Sequence, residues 1–196
     1  MTTLTAGEMF AGYGGLAMAV HDAFAEHGHE VQTKWLAEFD AAPSRILAHR
    51  YPGVPNIGDV TTVDWADPAH RVDIIAGGSP CQDVSLSGRR AGMTEGTRSN
   101  LWVAQRTAIA TIRPTWVVWE NVQGAHSARA ISNLEQEPRC VGGHGGSDVP
   151  LLRATGRVLG DLSICGYDAQ WRTLSAASVG APHRRNRVFV LARRRD

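Results

Sequence analysis

The chain has 196 residues, 43% of them hydrophobic, with a formal net charge of +1. That length and apolar fraction suit one soluble domain with a core of its own. No stretch is long and apolar enough to span a bilayer, and Met1–Ala6 lacks the charged and apolar regions of a signal peptide. Three scattered cysteines, Cys81, Cys140 and Cys165, argue against a disulfide framework. Membrane, exported and disulfide-stapled classes are therefore set aside, and a cytoplasmic location is expected. The small net charge hides an asymmetry. Residues 1–80 hold four basic and ten acidic side chains, residues 81–196 sixteen basic and nine acidic. The second half suits a polyanion, although simple drift of surface charge gives the same count.

In chain order, Leu4–Phe10 reads as a strand broken by Gly12-Tyr13-Gly14-Gly15. Leu16, Ala19, Val20, Ala23 and Phe24 then recur at helical spacing, with Gly28 as the stop. Val31–Phe39 is the second strand. Asp40 is placed to cap a helix running towards Tyr51. A short strand is expected near Ile57 and a strong one at Val72–Ala76. Ser79–Thr97 reads as a long polar loop, Asn100–Ile112 as a helix ended by Pro114, and Trp116–Trp119 as a buried strand. Asn121–Pro150 looks irregular. Leu151, Leu152, Thr155, Val158, Leu159 and Leu162 mark an amphipathic helix, and Ala169–Leu174 and Val188–Ala192 close the chain as strands. No repeat or linker divides it, so one domain over 1–196 is expected. Alternating strands and helices imply an α/β fold built on a mostly parallel, doubly wound sheet, with ligands beyond the carboxyl ends of the strands.

The chemistry-bearing residues fall at those strand ends. Phe10-Ala11-Gly12-Tyr13-Gly14-Gly15 is a glycine-rich strand-to-helix turn, where backbone can approach a ligand closely. No Gly-Lys-Ser/Thr follows, which excludes a Walker-type phosphate loop. A nicotinamide turn, an S-adenosylmethionine turn and a mere tight corner all remain open at this point. Glu38 ends the second strand, where a carboxylate can accept ribose hydroxyls, and Phe39 beside it can stack on adenine. Asp59 can accept from an exocyclic amine, or be an ordinary turn aspartate. Cys81 follows Gly77-Gly78-Ser79-Pro80, a stiff loop that presents the thiol rather than packing it. Cys140 and His144 have a zinc-like spacing but no second pair to complete a site. Glu120, at the mouth of an apolar strand, can have a raised pKa and donate a proton. Arg185 and Arg187 precede the last strand. In alternation both point the same way and can grip a phosphate or a base oxygen.

Taken in order, these segments resemble the C5-cytosine-specific DNA methyltransferases. Phe10–Gly15 with Leu16, Glu38-Phe39-Asp40, Asp59, Gly78-Ser79-Pro80-Cys81-Gln82 with Ser85 and Ser87, Arg98 with Leu101, Glu120-Asn121-Val122, and Arg185 with Arg187 match successive family motifs. The resemblance implies the S-adenosylmethionine-dependent methyltransferase fold, with an antiparallel last strand. It implies S-adenosylmethionine bound by Phe10, Gly12, Gly14, Gly15, Leu16, Glu38, Phe39, Asp59, Pro80 and Leu101, and DNA contacted by Gln82, Ser85, Ser87, Asn121 and Arg187. It also implies a mechanism without metal. Cytosine is flipped out of the duplex. The Cys81 thiolate adds to C6. Glu120 donates to N3 and Arg185 holds the O2 side. C5 takes the methyl group, and loss of the C5 proton releases Cys81.

Two departures bear on this. His183 stands where the family usually has Gln. The family normally continues into a target-recognition domain and two further motifs, which these residues do not include. The expectations are a separate recognition subunit, a compact enzyme of weak specificity from a restriction-modification or bacteriophage setting, or a remnant that binds DNA without catalysis. A tRNA-cytosine branch is disfavoured because Cys-Phe-Thr is absent near Asp83-Val84. A nicotinamide oxidoreductase leaves Cys81 and Glu120 unexplained.

Overall fold

The computed structural model describes residues 2–79, 101–126 and 152–196, together with a short strand at 129–130. Cys81, Gln82, Ser85, Ser87, Arg98, Pro80, Cys140 and His144 lie outside the described residues. Four helices and eight strands follow in the order β1 (Thr2–Met9), α1 (Gly15–Glu26), β2 (His29–Ala37), α2 (Ala41–Arg50), β3 (Ile74–Gly77), α3 (Leu101–Ile112), β4 (Trp116–Val122), β5 (Arg129–Ala130), β6 (Leu152–Arg153), α4 (Ala154–Ile164), β7 (Tyr167–Leu174) and β8 (Arg187–Arg194). Among the described residues, the 3₁₀ segments Pro68–His70, Gln123–His126 and Ala176–Val179 punctuate the connections.

Six strands form one sheet in the order β2-β1-β3-β4-β8-β7. β2, β1, β3 and β4 run parallel, and β8 is antiparallel to both of its neighbours. This is the mostly parallel sheet with an antiparallel last strand that the resemblance implies. The chain moves left from β1 to β2, then returns to the right of β1 for β3. The crevice between β1 and β3 is therefore the topological switch point, where such sheets bind ligands.

The sheet's centre is covered on both faces, so β3 and the end of β1 are buried without a break, whereas β4 and β8 alternate and β7 is largely exposed. On one face Ala6, Val31, Ile74 and Ala76 pack against Val20, Leu16 and Phe24 of α1. On the other, Met9, Ile75, Val117, Trp119, Val188, Val190 and Ala192 join Trp102 and Ile109 of α3 and Val158 and Leu162 of α4. Gly7 allows this second layer to close. A Cβ there would lie 2.1 Å from the Trp35 ring.

Four expectations change. The strand near Ile57 reduces to a single parallel bridge, Leu36 to Asn56, because the chain turns away at Gly58 with φ +74°. Asp40 stands at the N-cap of α2 but makes no side-chain cap; its carbonyl instead accepts from the Ser44 hydroxyl at 2.7 Å. The fourth helix begins at Ala154, since Leu152 pairs with Ala130 in a two-stranded ribbon. Asn121 and Val122, read as irregular, extend β4, where they pair with Val188 and Arg187.

Candidate active site

The register of the parallel strands places the candidate residues. Met9 pairs with both Ala37 and Gly77, and Gly77 pairs with Trp119. These four residues form one row across the sheet, and the next residue on each strand is Phe10, Glu38, Gly78 and Glu120. With strands about 4.8 Å apart, that row runs roughly 14 Å from Glu38 to Glu120. Groups separated by more than eighty residues of sequence thus share one edge.

At the left end the glycine turn is held from beneath. Phe10, Gly12 and Gly14 all have positive φ, at 57°, 54° and 77°. The Glu38 carboxylate accepts from the Gly12 N–H at 2.7 Å and from the Asp40 N–H at 2.8 Å. A carboxylate has about four lone-pair sites, so capacity for hydroxyl donors remains. The Tyr51 hydroxyl donates to the Gly14 carbonyl at 3.0 Å, and Arg50 donates to the Tyr13 carbonyl at 2.9 Å. The Tyr51 ring also occupies the space a Cβ on Gly14 would need, 2.5 Å away. Gly15 is different. It has no left-handed φ, and among the described residues nothing lies within 4 Å of where its Cβ would sit. Neither the backbone nor the packing of the described residues requires glycine there. A Cβ there would enter open space, and the turn's main chain with the Glu38 carboxylate fits an adenosyl methyl donor. Phe39 leaves its ring 76% exposed beside it.

Glu8 escaped the sequence reading. It is only 3% exposed, beneath the same turn, and accepts from the Ala17 N–H at 3.2 Å. Burial pushes its carboxyl up to about 8, against the pull of the Ala17 N–H and with help from nearby Glu38. The signal was available: an acidic side chain inside an otherwise apolar strand, two residues before a glycine turn.

Three other cofactor candidates have more modest surroundings. Leu16 packs its side chain towards the α1 face of the core. Asp59 accepts from the Thr61 amide and hydroxyl, as an ordinary turn aspartate does. Val60, directly after it, lines a cleft with Leu101, so the structure does bring these two segments together.

At the right end the site is built from charge. Arg187 Nε lies 2.8 Å from Glu120 Oε1. Burial raises the Glu120 pKa, opposed by the guanidinium of Arg187 and then that of Arg185. The alternation argument for the two arginines fails. Arg185 has φ 32° and lies outside β8, which starts at Arg187. Both nevertheless act on Glu120. A Cβ on Gly78 would come within 2.9 Å of Glu120 Oε2, so glycine there makes room for the carboxylate. Asn121 is 2% exposed and donates to the Ser79 carbonyl at 3.2 Å, while the Trp119 indole donates to the Ser79 hydroxyl at 3.1 Å. The Asn121 side chain, expected from sequence to contact nucleic acid, here holds Ser79, two residues before Cys81. His183 is exposed. Among the described residues no cluster of three metal-ligating side chains occurs, and no helix is long and apolar enough to cross a membrane.

The chain is similar to several known proteins. A Neisseria lactamica type II methyltransferase, M.NlaIV, is 25% identical over 183 residues, 93% of this chain and 40% of that protein. A protein of Escherichia phage P1 named a DNA N-6-adenine-methyltransferase is 32% identical over 193 residues, 81% of this chain and 25% of its own length. The chain thus spans less than half the length of these relatives. Among solved structures, Schizosaccharomyces pombe Dnmt2 superposes with a TM-score of 0.69 at 18% identity, covering 97% of this chain and 51% of that one. An Escherichia coli prophage protein, described as a putative DNA modification methyltransferase, gives 0.65 at 20%, covering 97% and 47%. These likenesses establish the methyltransferase fold. The family model for C-5 cytosine-specific DNA methylases matches residues 4–196, and the chain belongs to that family.

Proposed function

We propose that this chain transfers a methyl group from S-adenosylmethionine to C5 of cytosine in DNA. The observation that carries the reading is the single row formed by the glycine turn, Gly78-Ser79 and the Glu120–Arg187 pair. It sets a methyl-donor cradle and a proton donor on either side of the loop that leads to Cys81.

S-adenosylmethionine, when bound, supplies an electrophilic methyl group on a sulfonium. The main chain at Gly12–Gly15 would receive it, with Glu38 accepting from ribose hydroxyls and Phe39 stacking on the base. Cys81 lies two residues beyond Ser79, whose position Asn121 and Trp119 fix. Its thiolate adds to C6 of a flipped cytosine, and the electron pair of the C5–C6 bond moves towards N3. Glu120 stabilises that charge. Because its pKa is raised, it holds a proton for N3 more readily than an ordinary carboxyl. Arg185 and Arg187 keep the carboxyl within reach and are free to meet the O2 side. With the donor bound, C5 would take its methyl carbon as the carbon–sulfonium bond breaks and the thioether leaves; C5 then gives its proton to solvent and N3 returns its own to Glu120. The C6–sulfur bond breaks and the thiolate returns.

A recognition polypeptide outside these residues is the partner we expect to choose the target sequence.

The test is methyl transfer by the purified chain from labelled S-adenosylmethionine to DNA and RNA, read as modified nucleosides. The expected product is 5-methyldeoxycytidine, absent with Cys81→Ser. Label found as N6-methyladenine, or in RNA alone, would overturn the reading.

A further inference from the structure

The connection between β7 and β8 carries a feature that the methyl-transfer reading does not use. Val179 is 84% exposed, more than any other large apolar side chain among the described residues. It sits at the end of the 3₁₀ turn Ala176–Val179, just before Gly180 in the left-handed conformation at φ 92°.

This tip is rigidly built. The Ser175 hydroxyl accepts from the Ala177 N–H at 3.2 Å and donates to the Arg184 carbonyl at 2.7 Å. The Ala176 N–H donates to the same carbonyl at 2.8 Å, and the Ala181 N–H returns to the Ala176 carbonyl at 3.1 Å. The Ser178 hydroxyl donates to the Ser175 carbonyl at 2.6 Å. A loop that merely links two strands needs no such cross-bracing.

The tip also has a defined place. It rises from the edge that bears Glu120, and its base is tied to the main chain of Arg184, the residue before Arg185. His183, Arg184 and Arg185 are all exposed beside it. A stiff, solvent-facing apolar residue on a turn tied to the main chain of exposed Arg184, next to exposed Arg185, suits a duplex: phosphates meet the guanidiniums and the apolar group meets a base step.

We propose that Val179 is an apolar wedge against duplex DNA beside the target base, with Arg184 contacting a flanking phosphate. This rests on the DNA-methyltransferase reading above and adds a contact surface to it. A protein or lipid partner fits less well. The apolar element is a single side chain rather than a patch, and the surrounding charge is of one sign.

The test uses the full chain, a fluorescent duplex of mixed sequence and anisotropy over a salt series. Methylation of the same duplex and calorimetric S-adenosylmethionine binding are measured alongside. Val179→Asp should weaken duplex binding about tenfold, the scale of one unfavourable contact. Its cofactor binding should match the parent, which shows that the fold is intact. Val179→Leu should bind duplex as the parent does. Arg184→Gln leaves the carbonyl that ties the turn and should reduce the salt slope by about one phosphate contact. Parent-like duplex binding and methylation by Val179→Asp would overturn the wedge while leaving the methyltransferase reading intact. A parent chain that binds no duplex and methylates no DNA would overturn both.

Discussion

The two ends of the site are built from different materials. At the end of β1 the cradle is main chain. Three residues have positive φ, and the surrounding side chains, Glu8, Glu38, Arg50 and Tyr51, serve to hold backbone groups in place. At the end of β4 the candidate groups are side chains, a carboxylate whose pKa burial raises against the pull of two guanidiniums. The first end depends on conformation, so it tolerates almost no change in shape. The second depends on electrostatics, so it tolerates changes in shape better than changes in charge.

The largest expected effect comes from forcing a side chain into the main-chain end. Gly14→Ala requires a left-handed alanine and drives its Cβ into the Tyr51 ring. It should cost about 2–4 kcal/mol of stability, measurable by chemical denaturation. Unchanged stability would mean that the turn is not as rigid as Tyr51 makes it.

Next comes loss of charge at the other end. Glu120→Gln should lower methyl-transfer kcat by about 10²–10³-fold, with cofactor affinity unchanged by calorimetry. Arg187→Gln sharpens the point. Arg187 lowers the Glu120 pKa, so its removal should raise that pKa. A proton donor works below its pKa. The alkaline fall in activity should therefore move to higher pH, even as kcat declines. A shift to lower pH would contradict the assigned role.

A smaller change separates ligand space from fold. Gly15→Ala meets nothing among the described residues and strains no backbone, so melting should match the parent. Cofactor affinity should nevertheless fall about tenfold or more. Equal affinity would place the methyl donor elsewhere.

The smallest effect is a pH dependence of stability. The folded pKa of Glu8 is raised from 4.5 to about 8. The stability this contributes is complete below about pH 4.5 and disappears as pH rises through about 8. Glu8→Gln should remove this dependence. It should melt higher than the parent at alkaline pH, by the equivalent of about 1–3 kcal/mol.

The same contrast explains what could be read from the sequence. Glycines, a Pro-Cys-Gln loop and Glu-Asn-Val stand out by type and by their place after apolar strands. Of these, the glycine turn, Gly78-Ser79 and Glu120 share the carboxyl edge of the parallel strands, while Pro80, Cys81 and Gln82 lie outside the described residues. What was missed depended on three-dimensional neighbours. Glu8 looked like any strand residue until α1 was laid across it. The hydrogen bond from Asn121 to the Ser79 carbonyl likewise depends on two strands lying side by side. The shared orientation of Arg185 and Arg187 assumed extended backbone, and Arg185 adopts φ 32° instead. The strand near Ile57 carried enough β-branched character to suggest pairing, but Gly58 turns the chain after one bridge. Local pattern determines element type well. Side-chain partners and the conformation of short connections depend on what folds back against them.

The central claim is that Cys81 and Glu120 act together on a cytosine ring. A duplex carrying 5-fluorocytosine tests it directly, because fluorine at C5 cannot leave as a proton and the C6–sulfur bond then persists. Incubation with S-adenosylmethionine should give a denaturation-resistant protein–DNA adduct with the mass of both components plus one methyl group. The adduct should be absent with Cys81→Ser and form much more slowly with Glu120→Gln. Turnover of ordinary DNA without any adduct on the fluorinated duplex, or an adduct that survives Cys81→Ser, would contradict it.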